Sequence, residues 1–277
     1  MAPNELIRHL LKAPVDLLWN GGIGTYAKAS TERNMDVGDR ANDSVRVDAA
    51  ELQCRVIGEG GNLGFTQRSR IEFTLGGGRV NTDAIDNSAG VDCSDHEVNI
   101  KVLLNAVVAN GDMTTKQRDR LLAQMTDEVG DLVLRNNYLQ TQALGLASTQ
   151  SASMLDVHSR LMRLLEREAR LDVNIEALPD AEEMQKRRAQ GRGLVAPELS
   201  VLMAYTKIYL YQSLIGSTFP DDEHVRGELR GYFPSQLKEK FDEEIVAHPL
   251  RREIVSTVIA NEMVNREGMT FIFRLGE

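Results

Sequence analysis

The segment from Glu59 to Lys101 constrains the fold of this 277-residue chain more than any other part of it. It contains two short polar runs, EGGN and DNSAGVDCSDHE, and each follows a short β-like segment, CRVIGE and GRVNTDAID. Polar residues just past the carboxyl ends of strands mark the ligand edge of an open α/β sheet. Carboxamides and hydroxyls orient a ligand without adding charge, and glycine lets a flat ring approach the backbone. The sequence therefore predicts a ligand site at strand ends.

Strand-like runs are frequent in the first 110 residues. We predict a helix over 5–12, strands over 15–19, 55–58, 70–75 and 79–85, a loop over 86–94, and a helix over 97–108. After Gly111 the apolar residues take helical spacing, and Thr114 with Gln117 forms a capping-box pattern. Further helices are predicted over 154–171, 197–215, 236–247 and 251–266, with one strand signal at 270–274. The pattern indicates an α/β part over residues 1–110 and an all-helical part over residues 111–277.

The run Gly22-Ile23-Gly24-Thr25-Tyr26-Ala27 fits the G-x-G-x-x-A pattern of dinucleotide-binding turns. That pattern requires a helix directly afterwards and an acidic residue about 20 positions further on, at the end of a second strand. A polar, charge-rich stretch follows instead, and the next strand-like run ends too late, at Glu59. We interpret the match as coincidental.

Composition and charge exclude several classes of function. A net charge of −9 argues against an extended nucleic-acid surface. Two cysteines are too few for a disulfide framework and wrongly spaced for a zinc site, which favours the cytoplasm. The amino-terminal residues lack the pattern of a signal peptide, and Lys207 interrupts the longest apolar segment, 199–215, so no membrane association is expected.

Two readings of the polar runs remain open from the residues alone. Asn62 and Asn87 can satisfy turn backbone, with Ser94 capping a helix that begins near Asp95, or all three can contact a ligand. Cys93 with His96 lacks the third, orienting group of a thiol nucleophile. The acidic residues near His96 are explained more simply by the dipole at a helix start than by a metal, and we predict no metal site.

These runs, together with VDLLWNGGIGTYAKAS before them and EVNIKVLL after them, resemble the large bacterial NAD-dependent glutamate dehydrogenases. EGGN and NSAGVDCSDHE are more distantly similar to the EGAN and NAGGV-x-x-S-x-x-E runs of the smaller glutamate dehydrogenases. The resemblance covers nearly the whole chain, and its most specific part is 15–101. It implies the second half of a Rossmann-like, α/β dinucleotide-binding domain over residues 1–110 and a helical C-terminal domain over residues 111–277.

The resemblance also implies NAD as cofactor and L-glutamate and 2-oxoglutarate as substrate and product. Asn62 would lie beside the nicotinamide, Asn87 near the reacting face, and Ser94 at the distal carboxylate of glutamate, where a helix N-terminus would favour the anion. The backbone near the cofactor would be that of Gly22, Gly24, Gly60 and Gly61. The first two would belong to a loop that faces the cofactor without cradling its pyrophosphate.

Other features depart from a complete enzyme. The family takes its catalytic lysine and aspartate from an upstream substrate domain that no segment here matches, and the pyrophosphate-binding glycine motif is missing. We therefore expect a chain incomplete at both ends, inactive when isolated, and part of a homo-oligomeric parent. The alternatives are a non-catalytic nucleotide-binding, oligomerisation or regulatory module, and a dehydrogenase for another amino acid.

Overall fold

The computed structural model describes residues 1–276, and helices dominate it. Its strands are β1 (Leu17–Asn20), β2 (Ala27–Lys28), β3 (Val47–Asp48) and β4 (Val56–Glu59). The first eight helices are α1 (Pro3–Leu11), α2 (Asn34–Val37), α3 (Gln67–Leu75), α4 (Asp83–Asp86), α5 (Ser88–Ala109), α6 (Thr115–Gln124), α7 (Thr126–Gln150) and α8 (Leu155–Glu168). The remaining helices are α9 (Ala181–Ala189), α10 (Ala196–Ile215), α11 (Arg226–Tyr232), α12 (Ser235–Lys240), α13 (Asp242–Val246), α14 (Arg251–Glu267) and α15 (Phe271–Leu275). The prediction of a helix-rich chain is confirmed.

The strands form two small parallel sheets. β1 pairs with β4, from Leu17 opposite Val56 to Asn20 opposite Glu59. β2 pairs with β3 in the same parallel sense. Both pairs need a crossover between their strands because parallel neighbours cannot be joined by a tight turn. Two small sheets do not confirm a Rossmann-like domain, which stays a prediction.

The chain divides into two compact units, and each has its own core. The first unit comprises 1–88, 141–205 and 272–277; the second comprises 89–140 and 206–271. The division predicted near Gly111 concerns the domains of the parent protein and stays a prediction.

The cores differ in the elements that build them. In the first unit, apolar side chains from both sheets, from α3 and from the segments that connect them form one core; they are Ala27, Val47, Ala49, Leu52, Cys54, Ile57, Phe65, Phe73 and Val80. In the second unit, α5 packs with α6, α11, α12, α13 and α14 around Leu104, Phe233, Leu237 and Ile245, which are fully buried. The buried residues of α5 recur every three or four positions, as expected for one face of a helix.

Several predicted helices are confirmed, and their end signals explain why. The hydroxyl of Thr114 accepts a hydrogen bond from the Gln117 backbone N–H at 3.3 Å, and the Gln117 side chain accepts one from the Thr114 N–H at 2.8 Å. Pro197 lies in the first turn of α10. The helix predicted over 236–247 is present but breaks at Phe241 into α12 and α13. No helix follows the glycine run at Gly22, since Ala27 enters β2, as predicted.

Four predictions are wrong. Residues 70–75 form helix α3 rather than a strand, because Thr66 caps that helix and its buried residues, Ser69, Arg70 and Phe73, have helical spacing. The strand predicted over 79–85 is reduced to one bridge between Val56 and Arg79, followed by α4. The predicted loop over 86–94 and strand over 270–274 are both largely helical, in α5 and α15. The buried residues of α5 begin at His96, and the helix extends from them back to Ser88 against the local preference for a turn.

Candidate functional site

The carboxyl ends of β1 and β4 bring the two glycine runs together. Asn20 and Glu59 are paired as the last residues of the two strands. The carbonyl of Asn20 accepts hydrogen bonds from the backbone N–H groups of Gly60, at 2.9 Å, and Gly61, at 3.1 Å. The side-chain nitrogen of Asn20 is buried with no hydrogen-bond partner within residues 1–276. The Asn20 carbonyl therefore fixes the first two glycines after β4 at the end of β1.

Close backbone approach explains why glycine is required here. A Cβ atom on Gly61 would lie 2.5 Å from the carbonyl oxygen of Gly22, too close for any side chain. Gly24 has φ +123°, a conformation that other residues rarely adopt. The predicted cofactor-binding glycines at 22 and 61 thus lie side by side, and Gly60 precedes them at the strand end.

Two carboxamide side chains, those of Asn62 and Asn87, lie together beside the glycines. The side-chain nitrogen of Asn87 donates a hydrogen bond to the side-chain oxygen of Asn62 at 2.9 Å. Asn62 is exposed and follows the glycines directly, whereas Asn87 is half-buried and caps the end of α4. The Asn62 amide N–H₂ group has no partner among the described residues, so the pair can still donate hydrogen bonds to a ligand. The structure brings Asn62 and Asn87 together, and their roles toward a ligand stay predictions.

A buried ion pair supports the strand end. Glu59 is fully buried, and its carboxylate binds the Arg70 guanidinium through two contacts, at 2.6 and 2.9 Å. The same guanidinium lies 3.2 Å from the carboxylate of Asp83. Asp86 accepts a hydrogen bond from the Glu59 backbone N–H at 3.1 Å. Burial raises the pKa of the Glu59 and Asp86 carboxyls, although Arg70 opposes this shift for both.

This ion pair was not found by reasoning from the sequence. The available signal was a carboxylate at the end of a mostly apolar strand, since a buried charge needs a partner. Nothing in the sequence pointed to Arg70, because residues 70–75 read as a strand. The sequence therefore indicated that Glu59 needs a cationic partner, but only the fold shows that the partner is Arg70.

Trp19 is a further residue at this edge that the sequence did not single out. Its side chain is 60% exposed, and its ring lies against the backbone of Gly58 and Gly60. A Cβ atom on Gly58 would lie 2.6 Å from the ring, and one on Gly60 would lie 2.7 Å from it. An indole with one face on backbone and much of its surface exposed forms a flat apolar platform.

Ser94 does not lie where the sequence placed it. Helix α5 begins at Ser88, so Ser94 is an exposed residue in the second turn of that helix and neither caps a helix start nor lies at one. The helix-terminus argument for binding an anion at Ser94 therefore fails. Ser94 belongs to the second unit, whereas Asn62 and Asn87 belong to the first. Its role in substrate binding stays a prediction.

The acidic residues around His96 have side-chain partners rather than a helix end. Asp95 accepts a hydrogen bond from the Tyr232 hydroxyl at 2.8 Å, and Asp92 accepts one from Asn136, also at 2.8 Å. The His96 ring is buried and stacks on Tyr232 with 4.2 Å between ring centroids. Explaining these acids by the dipole of a helix start is therefore wrong, because the helix starts earlier.

Neither a metal centre nor a membrane span is seen in the described chain. Within residues 1–276, no group of three or more His, Cys, Asp or Glu side chains is arranged to hold a metal ion. None of the helices in that range combines the length and apolar character needed to cross a bilayer.

Two family profiles match the chain. The profile described as "Bacterial NAD-glutamate dehydrogenase, catalytic domain" matches residues 1–147, slightly more than half of the chain. The profile described as "Glutamate dehydrogenase, C-terminal" matches residues 191–277. Together they cover both the strand edge and the carboxyl-terminal helices.

Individual relatives match along the whole length. The NAD-specific glutamate dehydrogenase of Pseudomonas aeruginosa is 57% identical over 277 residues, which is 100% of this chain and 17% of the relative. Its counterpart in Halomonas elongata is 52% identical over 275 residues, 99% of this chain and 17% of the relative. That of Mycobacterium tuberculosis is 50% identical over 277 residues, again 100% and 17%. This chain spans about 17% of the length of the curated relatives it matches, and by its profile match it belongs to the bacterial NAD-glutamate dehydrogenase family.

Proposed function

We propose that this chain is the part of an NAD-dependent glutamate dehydrogenase that positions the nicotinamide end of the cofactor and one side of the substrate. The parent enzyme would oxidatively deaminate L-glutamate to 2-oxoglutarate and ammonia. One observation carries the proposal: bare glycine backbone and paired carboxamides lie at the carboxyl ends of two parallel strands. Ligands bind at such ends in open α/β sheets.

The strand edge fits a nicotinamide group chemically. Gly22 and Gly61 carry no side chains, so a flat ring at this edge would meet only backbone at these two positions. When bound, NAD supplies the acceptor for the hydride from the substrate Cα. Asn62 would orient the carboxamide of the ring, and Asn87 would hold Asn62 and face the reacting side. Backbone contacts would come from Gly22, Gly24, Gly60 and Gly61.

The wider assignments of the parent belong to the same proposal. Residues 1–110 would be the second half of a Rossmann-like domain, and residues 111–277 a helical C-terminal domain. The parent would be a cytoplasmic homo-oligomer that acts in amino acid catabolism. Support for the cytoplasm comes from the two cysteines, Cys54 and Cys93, which are both free.

The first test compares this chain with its full-length parent. The parent is expected to form NADH from L-glutamate and NAD, followed by absorbance at 340 nm, whereas the 277-residue chain alone forms none. The reason is that the family resemblance places the catalytic lysine and aspartate in a domain that no segment of this chain matches. Steady NADH production by the chain alone would contradict the proposal that the catalytic residues lie outside it. If the parent binds NADH with an affinity that glutamate does not change, a non-catalytic module is favoured instead.

The second test addresses Ser94 in the active parent. If its exposed hydroxyl binds the distal carboxylate of glutamate, Ser94→Ala should raise the KM for glutamate roughly ten- to a hundredfold, since a hydrogen bond to a charged group contributes about 1.5–3 kcal/mol. The matched control is Ser213→Ala, because Ser213 is also an exposed helical serine and bonds only to the carbonyl of Tyr209. An unchanged KM in Ser94→Ala would remove Ser94 from the substrate site.

A further inference from the structure

A cleft of about 440 Å³ lies within the first unit, next to the glycine edge. One wall is apolar and is formed by Leu63, Phe65, Val201 and Ala204. The start of α3, the start of α4 and one face of α10 surround it, together with the turn that carries Glu176. A concave, mainly apolar space with a few polar groups is the usual form of a small-molecule site.

The rim of the cleft is held in an unusual backbone conformation. Three non-glycine residues within residues 1–276 have positive φ angles, and two of them lie at or beside this cleft. They are Leu63, with φ 56°, which lines it, and Ala177, with φ 52°, which follows Glu176. Such conformations are costly for residues with a side chain and concentrate at ligand sites. In addition, the Gln67 side chain donates a hydrogen bond to the carbonyl of Pro197 at 3.1 Å, which ties two walls together.

The charges facing the cleft are unbalanced. Its charged lining residues are Arg70, Asp83 and Glu176. The Arg70 guanidinium is already bound to the buried Glu59 and to Asp83. Glu176 receives a hydrogen bond from the Tyr205 hydroxyl at 2.8 Å, but no cation pairs with it among the described residues. The cleft therefore presents one carboxylate that lacks a counter-charge.

Tyr205 keeps Glu176 in place as an acceptor. Burial, followed by the neighbouring Glu176 carboxylate, raises the pKa of the Tyr205 hydroxyl to about 12, so the hydroxyl remains protonated at neutral pH. A protonated hydroxyl donates to one oxygen of Glu176 and leaves the second available.

We propose that this cleft binds a small organic cation, with an ammonium or guanidinium group at Glu176 and an apolar body against Leu63, Phe65 and Val201. The proposal rests on the cleft alone and does not depend on the dehydrogenase activity proposed above. A bound ligand would touch Leu63, whose N–H donates a hydrogen bond to Asp83 at 2.7 Å. Leu63 directly follows Asn62, so the cleft and the glycine edge share one loop.

The test uses three probes of one shape and three charges on the 277-residue chain. These are benzylammonium, benzyl alcohol and benzoate, titrated by ligand-observed NMR at low salt. Benzylammonium is expected to bind at least tenfold more tightly than benzyl alcohol, and benzoate more weakly than either. The preference should weaken with added salt, because it comes from a partly exposed charge. Equal binding of the three probes, or no binding of benzylammonium, would overturn the proposal.

Two variants locate the binding in the cleft. Glu176→Gln should reduce the affinity for benzylammonium to that for benzyl alcohol, whereas Glu166→Gln, which removes the same charge from an exposed position on α8, should leave the affinity unchanged. Ala204→Leu should weaken all three probes because it fills the apolar wall. Retained preference for the cation in Glu176→Gln would place the binding elsewhere and reject the site.

Discussion

Replacing Arg70 with leucine is expected to destabilise the first unit by about 3–5 kcal/mol, since removing one partner of a buried ion pair leaves the other charge uncompensated. That other charge is the carboxylate of Glu59, which is fully buried at the end of β4. The loss should be visible as a lower midpoint of chemical denaturation at neutral pH. Trp19, the only tryptophan of the chain, lies against β4 and reports this unfolding directly by fluorescence.

The pH dependence of this variant gives a second readout. Burial already raises the pKa of Glu59 in the folded state above its value in the unfolded state. Protonation of Glu59 therefore stabilises the folded state: this contribution is complete below the unfolded-state pKa and is lost as the pH rises through the folded-state pKa. Without Arg70 the folded pKa rises further. The penalty of Arg70→Leu should therefore be largest at neutral pH and shrink as the solution is acidified.

An exposed arginine on the same helix is the matched control. Arg68→Leu removes the same charge from α3 without uncovering a buried partner, so a change within about 0.5 kcal/mol is expected. Equal stability of the Arg68 and Arg70 variants across pH would mean that the Glu59 carboxyl is not held as an ion pair.

The second large effect is expected at Glu198. Its buried carboxylate contacts the buried guanidinium of Arg187 at 2.6 and 2.9 Å and also accepts a hydrogen bond from the Val195 backbone N–H at 2.8 Å. Glu198→Leu should therefore destabilise the first unit by about 3–5 kcal/mol, measured by thermal or chemical unfolding.

Restoring neutrality should recover much of that loss. In the double variant Arg187→Met/Glu198→Leu no buried charge is left unpaired, and such apolar replacements are often neutral or stabilising. Glu183→Gln provides the control, because Glu183 contacts the same Arg187 from a partly exposed position and is expected to contribute about 1 kcal/mol or less. A double variant as unstable as the single one would show that the lost contacts, rather than the unpaired charge, cause the effect.

Local signals predicted the helices that carry such signals. Thr114 with Gln117 predicts the start of α6, and Pro197 predicts the start of α10. The apolar residues of α8 and α14 have helical spacing. These features work within a single turn of the chain, so no tertiary knowledge is needed to read them.

The failures arise where distant contacts decide the structure. Residues 70–75 alternate apolar and polar side chains, yet they form a helix that buries Arg70 against Glu59, eleven positions earlier. The glycine and β-branched valine at 90 and 91 weaken the local preference for a helix. Helix α5 nevertheless includes them, and its later turns pack one face into the core of the second unit.

The candidate site shows the same division. The sequence predicted a ligand site in the two polar runs; the structure adds a hydrogen bond between Asn87 and Asn62, which the sequence did not predict, and the roles of these two residues stay predictions. The sequence did not predict the supporting pair of Glu59 and Arg70, because it gave no reason for α3 to turn back toward the end of β4. It misplaced Ser94 because the start of α5 was set too late.

The Trp19 side chain limits which substitutions the strand edge can accept. Its ring occupies the space that side chains at positions 58 and 60 would need. An alanine at either position is compatible with the present backbone only if the indole moves or becomes smaller. Substitutions at Trp19, Gly58 and Gly60 are therefore epistatic, and the order in which they arise decides which of them the fold tolerates.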